Sequence, residues 1–251
     1  MASADLHNRT VAVIGGTSGI GFAVARRCLD QGARVHVGSR DPARVEAAVA
    51  RLGASGGIKA SASGGEVDAR DEASVAAFFE QAGALDHLVY TAGDWDTVRT
   101  SNPIDALDLD IAQGVFGVRF WGALLAVKHA LPRLGERGSI TLTNGMVAHR
   151  PRKGAALNTA MAGAVEHLTR SLAVDLAPRR VNAVCPGIVL TEVWERMPEE
   201  QRDAQIRRMT ERQPLARAAD PGEVAEAYLY SMCGTYTTGQ VFLVDGGMSL
   251  V

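Results

Sequence analysis

Short apolar runs alternate with stretches of helical periodicity along the whole chain. TVAVIGG, RVHVGSR, LDHLVYTAG, GSITLTNG, RVNAVCPG and QVFLVDGG are rich in valine, leucine and isoleucine and read as strands. Between them, GIGFAVARRCLDQG, PARVEAAVARLG, DEASVAAFFEQAG and a long stretch from about Asp105 to Leu134 read as helices. A further helix runs from Ala155 toward Pro178, with Leu157, Met161, Val165, Leu168 and Leu172 forming one apolar stripe. Ile14, Val37, Val89, Leu142 and Val184 fall in β-rich runs that predict buried strands. Such alternation predicts an α/β protein, a doubly wound parallel sheet with helices on both faces. One stretch resists: GASGGIKASASGGEVD stands where a third strand belongs, yet its glycine and serine content reads mostly as loop. Without a repeat or a linker, residues 1–251 are expected to form a single domain. The polar excursion TEVWERMPEEQRDAQIRRMTERQPLARAADPG then supplies a helical lid at about 191–218.

Composition narrows the class. The chain has 251 residues, 47% hydrophobic and 22% charged, with a formal net charge of −2, enough for one well-buried core. This balance excludes a basic nucleic-acid footprint, and 5% aromatic residues leave no stacking platform for single strands. Cys28, Cys185 and Cys233 lie far apart, with no CxxC and no histidine at metal spacing, so reduced core thiols and no metal are expected. MASADLHNRT has no apolar signal core, and no run is expected to reach membrane-spanning length. A cytoplasmic protein with neither nucleic-acid nor membrane partner is the expectation.

The first strand runs straight into GGTSGIG. Gly15, Gly19 and Gly21 permit a tight turn, a close approach to phosphate and close helix–strand packing; the helix that follows offers free N–H groups to a pyrophosphate. The GxxxGxG spacing resembles that of the short-chain dehydrogenase/reductase family. TAG at 91–93, RVNAVCPGIVLT and TTGQVFLVDGG match further family segments in order, so the resemblance covers residues about 9–249. It implies a Rossmann-type fold and a nicotinamide dinucleotide. By position it places Gly15, Thr17, Ser18, Gly19, Ile20 and Gly21 at the pyrophosphate, Asp68 and Ala69 at the adenine, and Thr91, Ala92 and Gly93 beside the ribose. Pro186, Gly187, Val189 and Thr191 would hold the nicotinamide end.

Where an NAD enzyme places an acid on the adenosine ribose, the second strand ends VGSR, with no carboxylate before Asp41. Arg40 can fork onto a 2′-phosphate with Ser39 beside it, which favours NADP(H); the alternative is a solvated arginine opening the next loop.

The family resemblance also implies an Asn-Ser-Tyr-Lys tetrad, and here all four positions depart from it. The serine position is Asn144, the tyrosine Leu157, the lysine Met161 and the asparagine Arg119. No nearby frame offers YxxxK. Asn144 and Arg119 are the candidate catalytic groups, followed by Asp94 and His149 on loops at the carboxyl ends of strands. Each has a plainer alternative: a turn residue at Asn144, a helix-surface or interface residue at Arg119, solvated loop groups at the other two.

Three readings stay open. The chain is an NADP(H)-dependent oxidoreductase on a carbonyl or alcohol with a non-standard proton donor, a non-redox enzyme such as an isomerase, dehydratase or cyclase, or a catalytically silent NADP(H)-binding sensor or subunit. Trp194 and Met197 in the lid favour an enzyme with an apolar small-molecule substrate. The resemblance further implies a homotetramer or homodimer built on the two long central helices.

Overall fold

The computed structural model describes residues 6–54, 61–94 and 103–251. Seven strands form one parallel sheet in the order β3-β2-β1-β4-β5-β6-β7. They are β1 (Thr10–Ile14), β2 (Arg34–Ser39), β3 (Ala62–Glu66), β4 (Leu85–Tyr90), β5 (Leu134–Thr143), β6 (Arg180–Pro186) and β7 (Val241–Val244). Strand order reverses between β1 and β4, and the carboxyl ends of such a pair form the crevice in which open α/β sheets bind ligands.

Residues alternate between the two faces of the sheet. Val11 and Val13 pack with Val24, Cys28, Val224, Tyr228 and Met232 on one side. Ala12 and Ile14 pack with Val75, Phe78, Phe79, Ala126 and Val165 on the other. The first group includes α1 (Gly19–Asp30) and the second α3 (Glu72–Ala82). Fully burying a side chain such as Phe78 contributes about 1.5–3 kcal/mol. Ile14, Val37, Val89, Leu142 and Val184, expected in the core, are all at most 1% exposed. Cys28 and Cys185 are buried free thiols, and Cys233 is a partly buried one. Burial pushes the Cys185 thiol up to about 12, so it stays protonated.

The third-strand region corrects the loop expectation. Residues 55–60 lie outside the described part, but Ala62–Glu66 pairs in register with β2. A Cβ on Gly64 would lie 2.5 Å from Val45 Cγ1, and one on Gly65 would lie 2.6 Å from Gln81 Oε1. Val45 belongs to α2 (Pro42–Gly53) and Gln81 to α3. At Gly64 the Val37 carbonyl oxygen, 2.8 Å from a Cβ, leaves room only for glycine, which removes the apolar signal of the strand there.

The long central helix is also not uniform. It comprises α4 (Leu109–Phe116), a π-helical segment Gly117–Gly122 and α5 (Ala123–Ala130). Contrary to the sequence expectation, Leu109–Ala130 is long and apolar enough to cross a membrane by length and composition. Its inner residues Val115, Ala126, Val127 and Ala130 instead pack in the sheet core. The remaining helices are α6 (Ala156–Asp175), α7 (Glu199–Thr210) and α8 (Pro221–Cys233). With the 3-10 turn Glu192–Arg196, α7 makes up the polar excursion after β6.

Candidate active site

The cradle is built from backbone. Gly15 follows β1 with φ +87°, and Gly19 opens α1 with φ +52°, both in the region that favours glycine. A Cβ on Gly15 would lie 2.6 Å from the Ala92 amide nitrogen, and one on Gly21 would lie 2.3 Å from the Gly15 carbonyl oxygen. Thr91 ties β4 to β1: its amide (2.8 Å) and its hydroxyl (3.1 Å) both donate to the Ile14 carbonyl. Thr17 is buried. Ser18 stands at the cap position of α1 but makes no side-chain cap. The Gly19 amide donates instead to Glu192 Oε2 at 2.7 Å. These observations fit a pyrophosphate: the turn packs too closely for a side chain at Gly15 or Gly21, and no local side chain caps the helix.

Around the cradle, the Gly187 amide donates to the Val244 carbonyl at 2.9 Å, Val189 bridges Ala219, and the Thr191 methyl lies against Gly19. The Asp68 carboxylate accepts from the Arg70 amide at 3.0 Å, and buried Ala69 lies against Gly122 of the π-helical segment. Asp41, the first acid after β2, caps α2 by accepting from the Ala43 and Arg44 amides at 3.0 and 3.4 Å. Arg40 is exposed beside it, after Ser39.

At the reacting end, Asn144 is 2% exposed and Met161 is 3% exposed, while Leu157 is half-buried against the core. The inward face of α6 is Asn158, Met161, Ala162, Val165, Glu166, Thr169 and Ala173, so the face is rotated from the leucine stripe that the sequence suggested. Glu166 is the residue that sequence reasoning missed. Its Oε1 accepts from Asn144 Nδ2 at 3.0 Å and lies 2.6 Å from His149 Nε2; Arg170 Nη2 stands 3.8 Å from Oε2. His149, whose side chain is 29% exposed, is therefore paired rather than merely solvated. Asn144 Oδ1 is a buried acceptor without a hydrogen-bond partner. Its amide orientation follows from Glu166, since a carboxylate can only accept.

Arg119 turns inward from the π-helical segment. A Cβ on Gly93 would lie 2.7 Å from its Nη2, and one on Gly145 would lie 3.9 Å from its Nη1. Its guanidinium thus lies at the carboxyl ends of β4 and β5. The Tyr90 hydroxyl donates to the Val118 carbonyl at 2.5 Å and holds that irregular segment on the sheet; π-helical turns often occur at functional sites. Burial opposes the Arg119 charge, while Tyr90, Tyr228, Asp94 and Cys185 favour it. Asp94 pairs with Arg70. Burial pushes the Tyr90 and Tyr228 phenols well above their ordinary range, and Tyr230 and Tyr236 are exposed. None of the four tyrosines lies on α6.

A family model described as enoyl-(acyl carrier protein) reductase matches residues 14–249. The chain belongs to the short-chain dehydrogenase/reductase family. It is 36% identical to the short-chain dehydrogenase/reductase ucsE of an Acremonium species, over 96% of each chain. The solved structure of the MalC reductase/Diels-Alderase from Malbranchea aurantiaca superposes with a TM-score of 0.90 at 32% identity, covering 98% of this chain and 97% of that one. A small-chain dehydrogenase in complex with NADPH matches with a TM-score of 0.81 at 35% identity, covering 97% of this chain and all of the other. As a short-chain dehydrogenase/reductase, the protein binds a nicotinamide cofactor.

Proposed function

We propose that the protein is an NADP(H)-dependent oxidoreductase acting on a carbonyl or alcohol, with its proton chemistry moved off positions 157 and 161 of α6. The observation that carries this reading is the Asn144–Glu166–His149 cluster, set beside Arg119 at the carboxyl ends of β4 and β5. A bound nicotinamide supplies or accepts the hydride; the chain's own groups manage the substrate oxygen and its proton. Reduction gathers negative charge on that oxygen, and the buried Arg119 guanidinium offers the compensating cation. Glu166 holds His149 through Nε2, leaving Nδ1 to exchange the proton with substrate and then with solvent. Asn144 fixes Glu166 through one amide hydrogen. Leu157 and Met161 supply an apolar wall in place of the usual donors.

NADP(H) over NAD(H) is supported by Arg40, exposed at the end of β2, and by the use of Asp41 as a helix cap. The NADPH-bound small-chain dehydrogenase supports the same choice. Exposed Leu109 (66%) and Trp121 (57%) on the central helix support a homodimer or homotetramer. Free thiols favour a cytoplasmic setting.

Titration with NADPH and NADP⁺, followed by a panel of carbonyls and alcohols read at the nicotinamide absorbance, tests the proposal. Binding with turnover supports it; binding without turnover on any substrate contradicts it. A second reading, ring closure of an apolar substrate without net redox change, is favoured by the apolar α6 wall and by the reductase/Diels-Alderase neighbour. Product formed from a diene without change in nicotinamide absorbance would select it.

A further inference from the structure

The Gly19 amide is one of the free N–H groups that a pyrophosphate would take at the start of α1. In this structure it donates at 2.7 Å to Glu192, a residue 173 positions away at the start of the polar excursion. The contact is tertiary, not local capping, and Thr191 reinforces it with a methyl 3.0 Å from where a Gly19 Cβ would stand. A carboxylate and a phosphate are both anionic acceptors. One N–H cannot serve both at full strength, and two anions at this distance repel. The chain's own carboxylate thus holds an amide that a pyrophosphate at this turn would take.

A second seat lies close by. A cavity of about 750 Å³ between α1, the Glu192–Arg196 turn and the start of α8 is lined by Gly19 and Glu192, and also by Arg26, Arg27 and Arg202. Each arginine already meets a surface acid: Arg26 meets Asp30, Arg27 meets Glu226 and Arg202 meets Asp203. A guanidinium has five N–H donors, so each can take a further carboxylate.

We propose that Glu192 is a latch between the lid and the cofactor cradle. Its carboxylate holds the phosphate seat in the unloaded protein, and dinucleotide binding transfers it to the arginines of the adjoining cavity, shifting the turn that carries Trp194. The proposal rests on the cradle being the dinucleotide site. Trp194, which donates its Nε1–H to the Val189 carbonyl at 2.8 Å, gives an optical readout two residues from the latch.

The test compares NADP⁺ and NADPH binding by calorimetry in the wild type, Glu192→Gln and Glu195→Gln. Glu195 lines the same cavity with the same charge and is not the group bonded to Gly19. Removing a competing charge-assisted hydrogen bond is expected to tighten binding by about tenfold in Glu192→Gln. Glu195→Gln is expected to stay within about twofold, since exposed charges are strongly screened. In a Trp95→Phe/Trp121→Phe background, which keeps Trp194 as the sole tryptophan, emission should shift on NADP⁺ addition, with Glu192→Gln already shifted beforehand. Should Glu192→Gln fail to fold, Glu192→Asp, one methylene shorter, tests the same contact and is expected to tighten binding too. Equal affinity in wild type and Glu192→Gln overturns the latch, as does an equal gain in Glu195→Gln, which would show bulk charge alone. Absence of NADP⁺ and NADPH binding in all the proteins overturns the dinucleotide reading beneath it.

Discussion

The glycine turn after β1 and the start of α6 face the same crevice but carry function in different ways. At the turn, function lies in the backbone: a side chain at Gly21 would collide with the Gly15 carbonyl at 2.3 Å. At α6 it lies only in side chains, and Leu157 and Met161 pack there as ordinary apolar residues. Backbone-borne function leaves no substitution that keeps the geometry. Side-chain function can be exchanged while helix and strand stay in place.

Gly21→Ala should have the largest effect. The collision should weaken NADPH binding by at least about 100-fold, or lower stability by about 1–3 kcal/mol, as overpacking does. Calorimetry and urea unfolding separate the two; unchanged binding and stability would show that the turn tolerates side chains after all.

The sheet beneath both ends offers the next test. His87 in β4 is buried, with Nδ1 2.8 Å from the Ser139 hydroxyl, and burial lowers its pKa to about 4. The unfolded chain binds this proton near pH 6.5, so no stability is lost above that pH. As pH falls from 6.5 through 4, the native state should lose about 3 kcal/mol on this account. In His87→Gln, the urea midpoint should fall less between pH 7 and pH 4 than in the wild type. An equal fall would assign the acid sensitivity elsewhere.

Most of the frame was legible because buried parallel strands leave apolar runs, as at Val11–Ile14 and Ala183–Cys185. β3 was not, because Gly64 answers to the β2 backbone pressing on it rather than to strand propensity. The glycine cradle was readable from spacing. The reacting end was readable only as a set of departures, since nothing in local sequence shows that Arg119 turns inward through a π-helical segment. Glu166 did leave a signal. It shares an inward face with Asn158, Ala162 and Thr169, at spacings of eight, four and three residues, but the leucine stripe drew the helix face slightly round from it. Glu192 left none, because its contact with Gly19 spans most of the chain.

Glu166→Gln sharpens the reacting end. It keeps the shape but removes the carboxylate that holds His149, so turnover should fall by about 30-fold with little change in KM. A loss confined to KM would make Glu166 part of substrate binding instead. Arg40→Ala has the smallest expected effect, on the cofactor side: NADP(H) should lose about tenfold in affinity while NAD(H) changes little. An equal loss for both cofactors would mean that Arg40 does not read the 2′-phosphate.

We place the proton and charge chemistry on Arg119, Asn144 and His149, at the strand ends and the loop that follows β5, with Glu166 of α6 holding His149. The most direct test of this placement is carbonyl reduction by the wild type and by the combined variant Asn144→Ala/Arg119→Ala/His149→Ala, with NADPH affinity measured in both. Cofactor affinity is expected to stay within about threefold while turnover falls by at least about 100-fold, the usual worth of acid–base assistance. Turnover surviving at the wild-type rate, with the cofactor bound, would contradict it.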